Sequence, residues 1–159
     1  MKAVYAAMFS LLAGEAGALS CLRPDGVSSF QRADEQSETI YLLRGVLSFD
    51  ERLLPETDML NQEQAPDPIS ARFEGHALGA DGFTVPYARE LTLQPLCAGP
   101  WCGGAQSDED ALIFATVAGD DLIVEANPCG GTIFYNVTEE MVRQVTSCMA
   151  GDCSAQPLQ

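Results

Sequence analysis

The stretch CAGPWCGG, residues 97 to 104, holds two cysteines with a glycine, a proline and the only tryptophan of the chain between them. Thiols so placed could carry redox chemistry, ligate a metal or lock a turn. A redox pair needs a low-pKa attacking thiol, ordinarily at a helix N-terminus in a Cys-x-x-Cys arrangement. Here four residues separate the sulfurs, and Gly99-Pro100 demands a turn. Cys148 and Cys153 (CMAGDC) repeat that gap, and nothing marks one thiol as exposed and reactive. A Cys/His zinc site would have to draw on these same thiols and a single histidine, His76. With Cys21 and Cys129 the cysteines number six, an even count that in an exported chain reads as three disulfides. The thiols are staples.

Other chemistry finds less support. Ser/His or Cys/His catalysis needs a histidine, or a lysine in its place, near a nucleophile. His76 alternates to the outer side of a strand with Arg72 and Glu74, where solvent accounts for it. Asp108, Glu109 and Asp110 could offer oxygen ligands to calcium, but they lack the spacing of a calcium loop and read as a solvated turn. Asn136-Val137-Thr138 is a formal glycosylation sequon in which Thr138 is better placed as a helix cap. There is no phosphate loop and no nucleotide fingerprint. The chain reads as a non-enzyme with no cofactor and no metal of its own.

The ends of the chain set its context. Met1-Lys2 carries one positive charge, Ala3 to Leu12 is apolar except for Ser10, and Ala18-Leu19-Ser20 is a small-x-small site before Cys21. Residues 1–20 therefore read as a secretory signal peptide, which makes Cys21 the first mature residue and the location secreted or periplasmic. That apolar run is too short for a permanent span, and no other run is long enough for a transmembrane helix. Asp and Glu number 23 against eight Lys and Arg, a net charge of −15, and loss of Lys2 with Glu15 leaves that balance unchanged. Such a surface repels nucleic-acid phosphates and anionic membranes alike.

The elements that must hold the cysteines follow from the apolar pattern. Residues 21–153 have the length of one domain, with a short tail over 154–159. After a short leader, Glu38 to Phe49 is rich in strand formers, with Tyr41, Leu43, Gly45, Leu47 and Phe49 on one face. Residues 50–68, with three prolines and six acids, form a long exposed loop. Ile69 to Leu78 alternates with Ile69, Ala71, Phe73, Gly75 and Ala77 inward, and Ala80-Asp81-Gly82 turns. Arg89 to Leu96 is a strand ended by Pro95, and Ala111 to Val117 reads as a central strand because it is nearly all apolar. Ala118 to Asp121 turns into Leu122–Ala126 as a hairpin, and Thr132 to Tyr135 is a short strand. Thr138 then caps a helix with Met141, Val142, Val145 and Met149 as its apolar stripe, ended at Gly151. The expected fold is all-β with a C-terminal helix, specifically a five-stranded OB-type Greek-key barrel.

This order resembles the netrin-like modules and the inhibitory domain of the tissue inhibitors of metalloproteinases, which are OB folds. The resemblance covers residues 21 to 148: a cysteine at the mature start with Pro24 after it, strand, acidic loop, two strands, Cys102-Gly103, the hairpin ALIFATVAGDDLIVEANPC, then strand and helix. In that family the first cysteine is tied to a Cys-Gly before the fourth strand, and a later cysteine, matching Cys129, closes the fifth. Family inhibitors begin Cys-x-Cys, whereas here Arg23 takes the third position, so the usual partner of Cys129 is missing and Cys97 stands in for it. The resemblance thus implies Cys21–Cys102 and Cys97–Cys129. The alternative pairing is Cys97–Cys102 with Cys21–Cys129. Cys148–Cys153 is expected as a local bridge in either case, because a chain crossing the helix-ending Gly151 can bring the two Cα atoms within reach.

The resemblance implies a monomeric protein-binding module whose partner is another protein, in its sharpest form a zinc protease. The working edge would be Cys21, Leu22, Arg23 and Pro24 beside Pro100 and Trp101, with the Cys21 amine and carbonyl ligating the zinc of the target. A different reading makes Cys21 the acylated cysteine of an envelope lipoprotein, although Ala-Leu-Ser-Cys is a poor lipobox.

Overall fold

The computed structural model describes residues 19–61 and 63–154. The signal peptide expected over 1–20 lies outside the described residues except for Leu19 and Ser20, and the expected tail does so except for Ser154. The described residues form helix α1 (Gly26–Asp34), strand β1 (Ile40–Ser48), a 3-10 turn (Glu51–Leu53), β2 (Ile69–Gly79) and β3 (Gly82–Pro95). The mini-strands β4 (Cys97–Ala98) and β5 (Trp101–Cys102) follow, then β6 (Asp110–Ala118), β7 (Asp121–Ala126), β8 (Ile133–Tyr135) and helix α2 (Glu139–Met149). The chain is mostly β with a C-terminal helix, as the pattern predicts. None of its described helices is long and apolar enough to cross a membrane.

Five strands close on one another. β1 pairs antiparallel with both β2 and β6, β2 with β3, and β6 with β7. The circuit is completed by a short parallel pairing, Thr92 to Pro95 of β3 beside Ile123 to Ala126 of β7. Strand β8 pairs with the beginning of β6, at Ala111 to Ile113. Gly45 and Gly75 face each other across β1 and β2, and a Cβ at either would lie within 2.3 Å of a carbonyl oxygen on the other strand. The ring of Phe73 packs over both, filling the space that two side chains would have taken.

Alternation explains the two cores. Leu43, Leu47, Ile69, Phe73, Leu93, Ile113, Leu122 and Val124 point into the ring and are buried. Leu42, Leu112, Phe114 and Phe134 point outward and are covered by Val27 and Phe30 of α1 and Val145 and Cys148 of α2. β6 carries apolar residues at successive positions because both of its faces are covered, which is why it reads as a central strand.

Three expectations are corrected. The strand expected over Arg89 to Leu96 begins at Gly82, because Pro86 hides the pattern in residues 82–88 and yet sits opposite His76 in the pairing with β2. Residues 26–34, read as part of a leader, form α1: Asp25 caps it by accepting from the Ser28 N–H at 2.9 Å, and Gly26 lets it approach Val145 and Met141 of α2 closely. Its two large apolar residues, Val27 and Phe30, are one helical step apart and too few to register as a period. On α2, Met149 is exposed and Cys148 takes its place in the buried stripe, because positions 141, 145 and 148 are the ones that line up toward the ring.

Candidate functional site

The mini-hairpin decides the cysteine pairing. Gly99 adopts φ 61°, the left-handed conformation that a tight turn needs and glycine adopts freely, and Pro100 is buried beneath it. The turn sets Cys97 directly opposite Cys102, with Cα atoms 4.0 Å apart, and the two are bonded. The pairing implied by the resemblance, Cys21–Cys102 with Cys97–Cys129, is therefore replaced by the alternative. Cys21 is bonded to Cys129 instead, with Cα atoms 5.2 Å apart, and Cys148 to Cys153 as expected.

Both halves of the expected edge hang from one stretch of chain. The Leu96 N–H donates to the Ala126 carbonyl at 2.9 Å, and the Gly103 N–H donates to the Leu96 carbonyl at 2.8 Å, which seats the hairpin base on the end of β7. A Cβ at Gly103 would fall 1.9 Å from the Ala126 oxygen, so that seat admits no side chain. Asn127 turns the chain next, its side-chain oxygen accepting from the Cys129 N–H at 3.0 Å and its carbonyl from the Gly130 N–H at 2.8 Å. Cys129 then holds Cys21. Pro24 rests on the glycine backbone that follows, 3.3 to 3.4 Å from where a Cβ of Gly130 or Gly131 would sit. Cys21, Leu22 and Arg23 are exposed, Leu22 to 92%. Trp101 is half-buried.

The remaining chemical candidates serve the structure. His76 is exposed on β2 opposite Pro86. Arg72 pairs at the surface with Glu74 and Glu90, at 2.8 and 3.3 Å. Asp108 accepts from the Ser48 hydroxyl at 2.6 Å, and Glu51 from the Ser107 N–H at 2.6 Å, so the acidic turn fastens the start of β6 to the end of β1. Next to it, the Tyr135 hydroxyl accepts from the Gln106 N–H at 2.6 Å. Burial first, and then Glu51 and Glu109 nearby, hold the Tyr135 phenol above its ordinary pKa, against the opposing effect of the Gln106 hydrogen bond. Thr138 caps α2 by accepting from the Met141 N–H at 3.2 Å, which accounts for the threonine of the sequon.

One feature of the fold had no counterpart among the sequence candidates. Beside Gly131 opens a cleft of about 400 Å³, roofed by α1 and floored by the outward side chains of β6 and β7. Arg32 and Ser29 line it from α1. The signal that could have found them is Asp25-x-x-Ser28, a capping pair that starts a helix and sets Ser29 and Arg32 on one face. Comparison of the chain with protein-family models, with curated proteins and with solved structures finds no match.

Proposed function

We propose that the protein is a secreted or periplasmic, disulfide-stapled module of the netrin-like and tissue-inhibitor type that binds another protein through Cys21, Leu22, Arg23 and Pro24. The observation that carries this reading is the exposure of Leu22, 92%, on a segment pinned at both ends, by the Cys21–Cys129 bridge and by Pro24 on the glycine backbone. An apolar side chain held out into solvent by two anchors suits insertion into a partner's pocket. A circuit of five strands with a helix at its C-terminal end supports the OB-type reading of the fold. The bridge to Cys129 also commits the sulfur that lipid attachment at Cys21 would require.

In its sharpest form the module inhibits zinc endopeptidases. After cleavage before Cys21, the free amine and carbonyl of that residue ligate the target's zinc in place of its activated water, and Leu22 enters the pocket beyond. Pro24 fixes its own φ and restricts Arg23 to extended conformations, so the edge is ordered before it binds. That order avoids a cost of about 0.5–1.5 kcal/mol per immobilised side chain. Pro100 is buried, which leaves Trp101 of that pair to face a partner. Coordination needs the neutral amine, whose ordinary pKa is about 7.7–8.0, so inhibition is expected to weaken as pH falls below that range.

Intact mass and N-terminal sequencing of the exported protein are expected to give an unlipidated chain starting at Cys21. Adding one alanine before Cys21 moves the amine off the metal. Inhibition of a panel of zinc endopeptidases should then disappear while the circular dichroism spectrum stays unchanged. If neither form inhibits, or both do so equally, the amine has no role.

A further inference from the structure

Strand β3 is paired on both edges only near its end. It lies against β2 from Gly82 to Leu93, whereas β7 reaches its other edge at Thr92 to Pro95. Among the described residues, β2 is thus the one strand paired with residues 82–91. β7 goes no further because the chain turns between Ala118 and Asp121, and an Arg89 terminal nitrogen donates to the Asp120 carbonyl at 2.9 Å, holding that turn where the strands part. A paired strand residue directs its N–H and C=O to one neighbour, and successive residues alternate. The Leu96 N–H donates to Ala126 at the end of β7, so Gln94, Thr92, Glu90, Ala88 and Pro86 face that way as well. Pro86, which has no N–H, falls on this parity opposite His76 and so takes no bond from the β2 ladder. The open edge therefore presents the Pro86 carbonyl and both backbone groups of Ala88 and Glu90, and all three residues are exposed.

We propose that this edge receives an extended, basic segment of another protein as an added strand. Its apolar side chains would lie beside Val85 and Tyr87, and its lysines or arginines beside Glu90 and Asp121. Main-chain bonds to an open edge supply affinity, and side chains on alternate faces supply specificity. On the inner face, Val85 and Tyr87 stand opposite Ala77 and Gly75, and the Tyr41 ring lies 5.7 Å from that of Tyr87. Val85 is 48% exposed and Tyr41 40%, a larger apolar surface than that face otherwise leaves to solvent. On the outer face, Glu90 of β3 and Asp121 of β7 line one cleft where the two strands separate. Charge selects the occupant: a chain of net charge −15 attracts a basic segment and repels a second copy of itself. Self-pairing centred on Ala88 would also set Glu90 of one copy against Pro86 of the other, which has no N–H to donate. The edge precedes the pairing of β3 with β7, whereas the Leu22 segment hangs from chain beyond that pairing, so the two surfaces are independent.

The test is titration of the oxidised protein with a blocked peptide of alternating valine and lysine, eight residues long, followed by amide chemical shifts and hydrogen exchange. Saturable binding is expected, with Kd below about 1 mM. The Ala88 and Glu90 amides, fast to exchange in the free protein, should slow about tenfold or more, while the Tyr87 and Arg89 amides, already bonded to β2, should change little. A valine–glutamate peptide of the same length should bind about tenfold more weakly or worse, and Asp121→Asn should weaken the lysine peptide. N-methylation of all valines or of all lysines removes the donors of one peptide edge, so one of the two forms should lose binding and the other keep it. Ala88→Pro removes a donor from β3 and should weaken binding about tenfold; should that variant fail to fold, the methylated peptides on the wild type still decide. Absence of saturable binding overturns the proposal, as do Ala88 and Glu90 amides already protected in the free monomer, equal binding of the glutamate peptide, or full binding by both methylated forms. Sedimentation showing a dimer that protects those amides without peptide overturns it in favour of a second copy.

Discussion

Tyr135 shows how much a single contact does in this protein. Its hydroxyl is the partner of the Gln106 backbone, accepting from the N–H at 2.6 Å and lying 3.3 Å from the carbonyl, and so holds the acidic turn onto β8. Removing it in Tyr135→Phe leaves that backbone to find water and is expected to cost about 0.5–1.5 kcal/mol at neutral pH, measured by urea denaturation. The pH dependence has a definite sign. The unfolded phenol titrates near its ordinary value of about 10, and the folded one above it, chiefly through burial. Between those two values the unfolded chain has released a proton that the folded chain keeps. The stability that the neutral phenol contributes is therefore whole below about 10 and is lost as pH rises through the folded pKa. The gap between wild type and Tyr135→Phe should narrow in that alkaline window; a gap constant up to that range would mean the phenol does not titrate with folding.

At the scale of elements, most strands were legible, whereas one helix and the first half of β3 were not. Alternation placed Ile69, Ala71, Phe73 and Ala77 on the inner face of β2, where they are buried or nearly so, and Thr138 was recognisable as a cap because its side chain answers backbone groups three residues away. Both signals are local. Helix α1 escaped because its stability comes from packing Val27 and Phe30 against α2 and the outer face of the ring, not from its own periodicity. Its cap therefore has an outsized role. Asp25→Ala removes the carboxylate oxygens that accept from the Ser28 N–H and the Ser28 hydroxyl, and is expected to cost about 0.5–2 kcal/mol. Hydrogen exchange should locate the loss in residues 26–34. Thr138→Ala should cost about 1 kcal/mol and loosen 139–149 instead. If both variants lower protection equally over both helices, α1 and α2 unfold as one unit.

For the whole molecule, the three bridges differ in what they constrain. Cys21–Cys129 closes a separation of 108 residues, whereas Cys97–Cys102 and Cys148–Cys153 each close five. In the chain-entropy account, a loop of roughly 100 residues is worth about 4.7 kcal/mol and loops of five or so about 2 kcal/mol. Replacing both cysteines of the long bridge with serine is thus expected to lower stability at least twice as much as either local replacement. Denaturant midpoints at matched m-values measure this, and equal losses for all three bridges would show that the unfolded chain is already compact around Cys129. The long bridge also anchors the exposed edge. Its loss should release Leu22 and Arg23 even under conditions where the ring remains folded, which lower backbone NMR order parameters at those two residues would report.

The sequence by itself determined the class of this protein: mostly strands, a capped C-terminal helix, six cysteines that act as staples, and a strongly acidic surface. Those properties depend on a residue and its near neighbours, through the two-residue period of a strand, the φ freedom of glycine and the reach of a capping side chain. Tertiary structure alone decided between the two pairings open to Cys21, Cys97, Cys102 and Cys129. Cys102 is bonded across a turn to Cys97 because the hairpin brings their Cα atoms to 4.0 Å, and Cys21 is left to find Cys129. It also decided that Arg32, Glu38 and Glu125 line one cleft. No window of sequence holds that arrangement, because it exists only once β1, β6 and β7 lie side by side and α1 is laid across them.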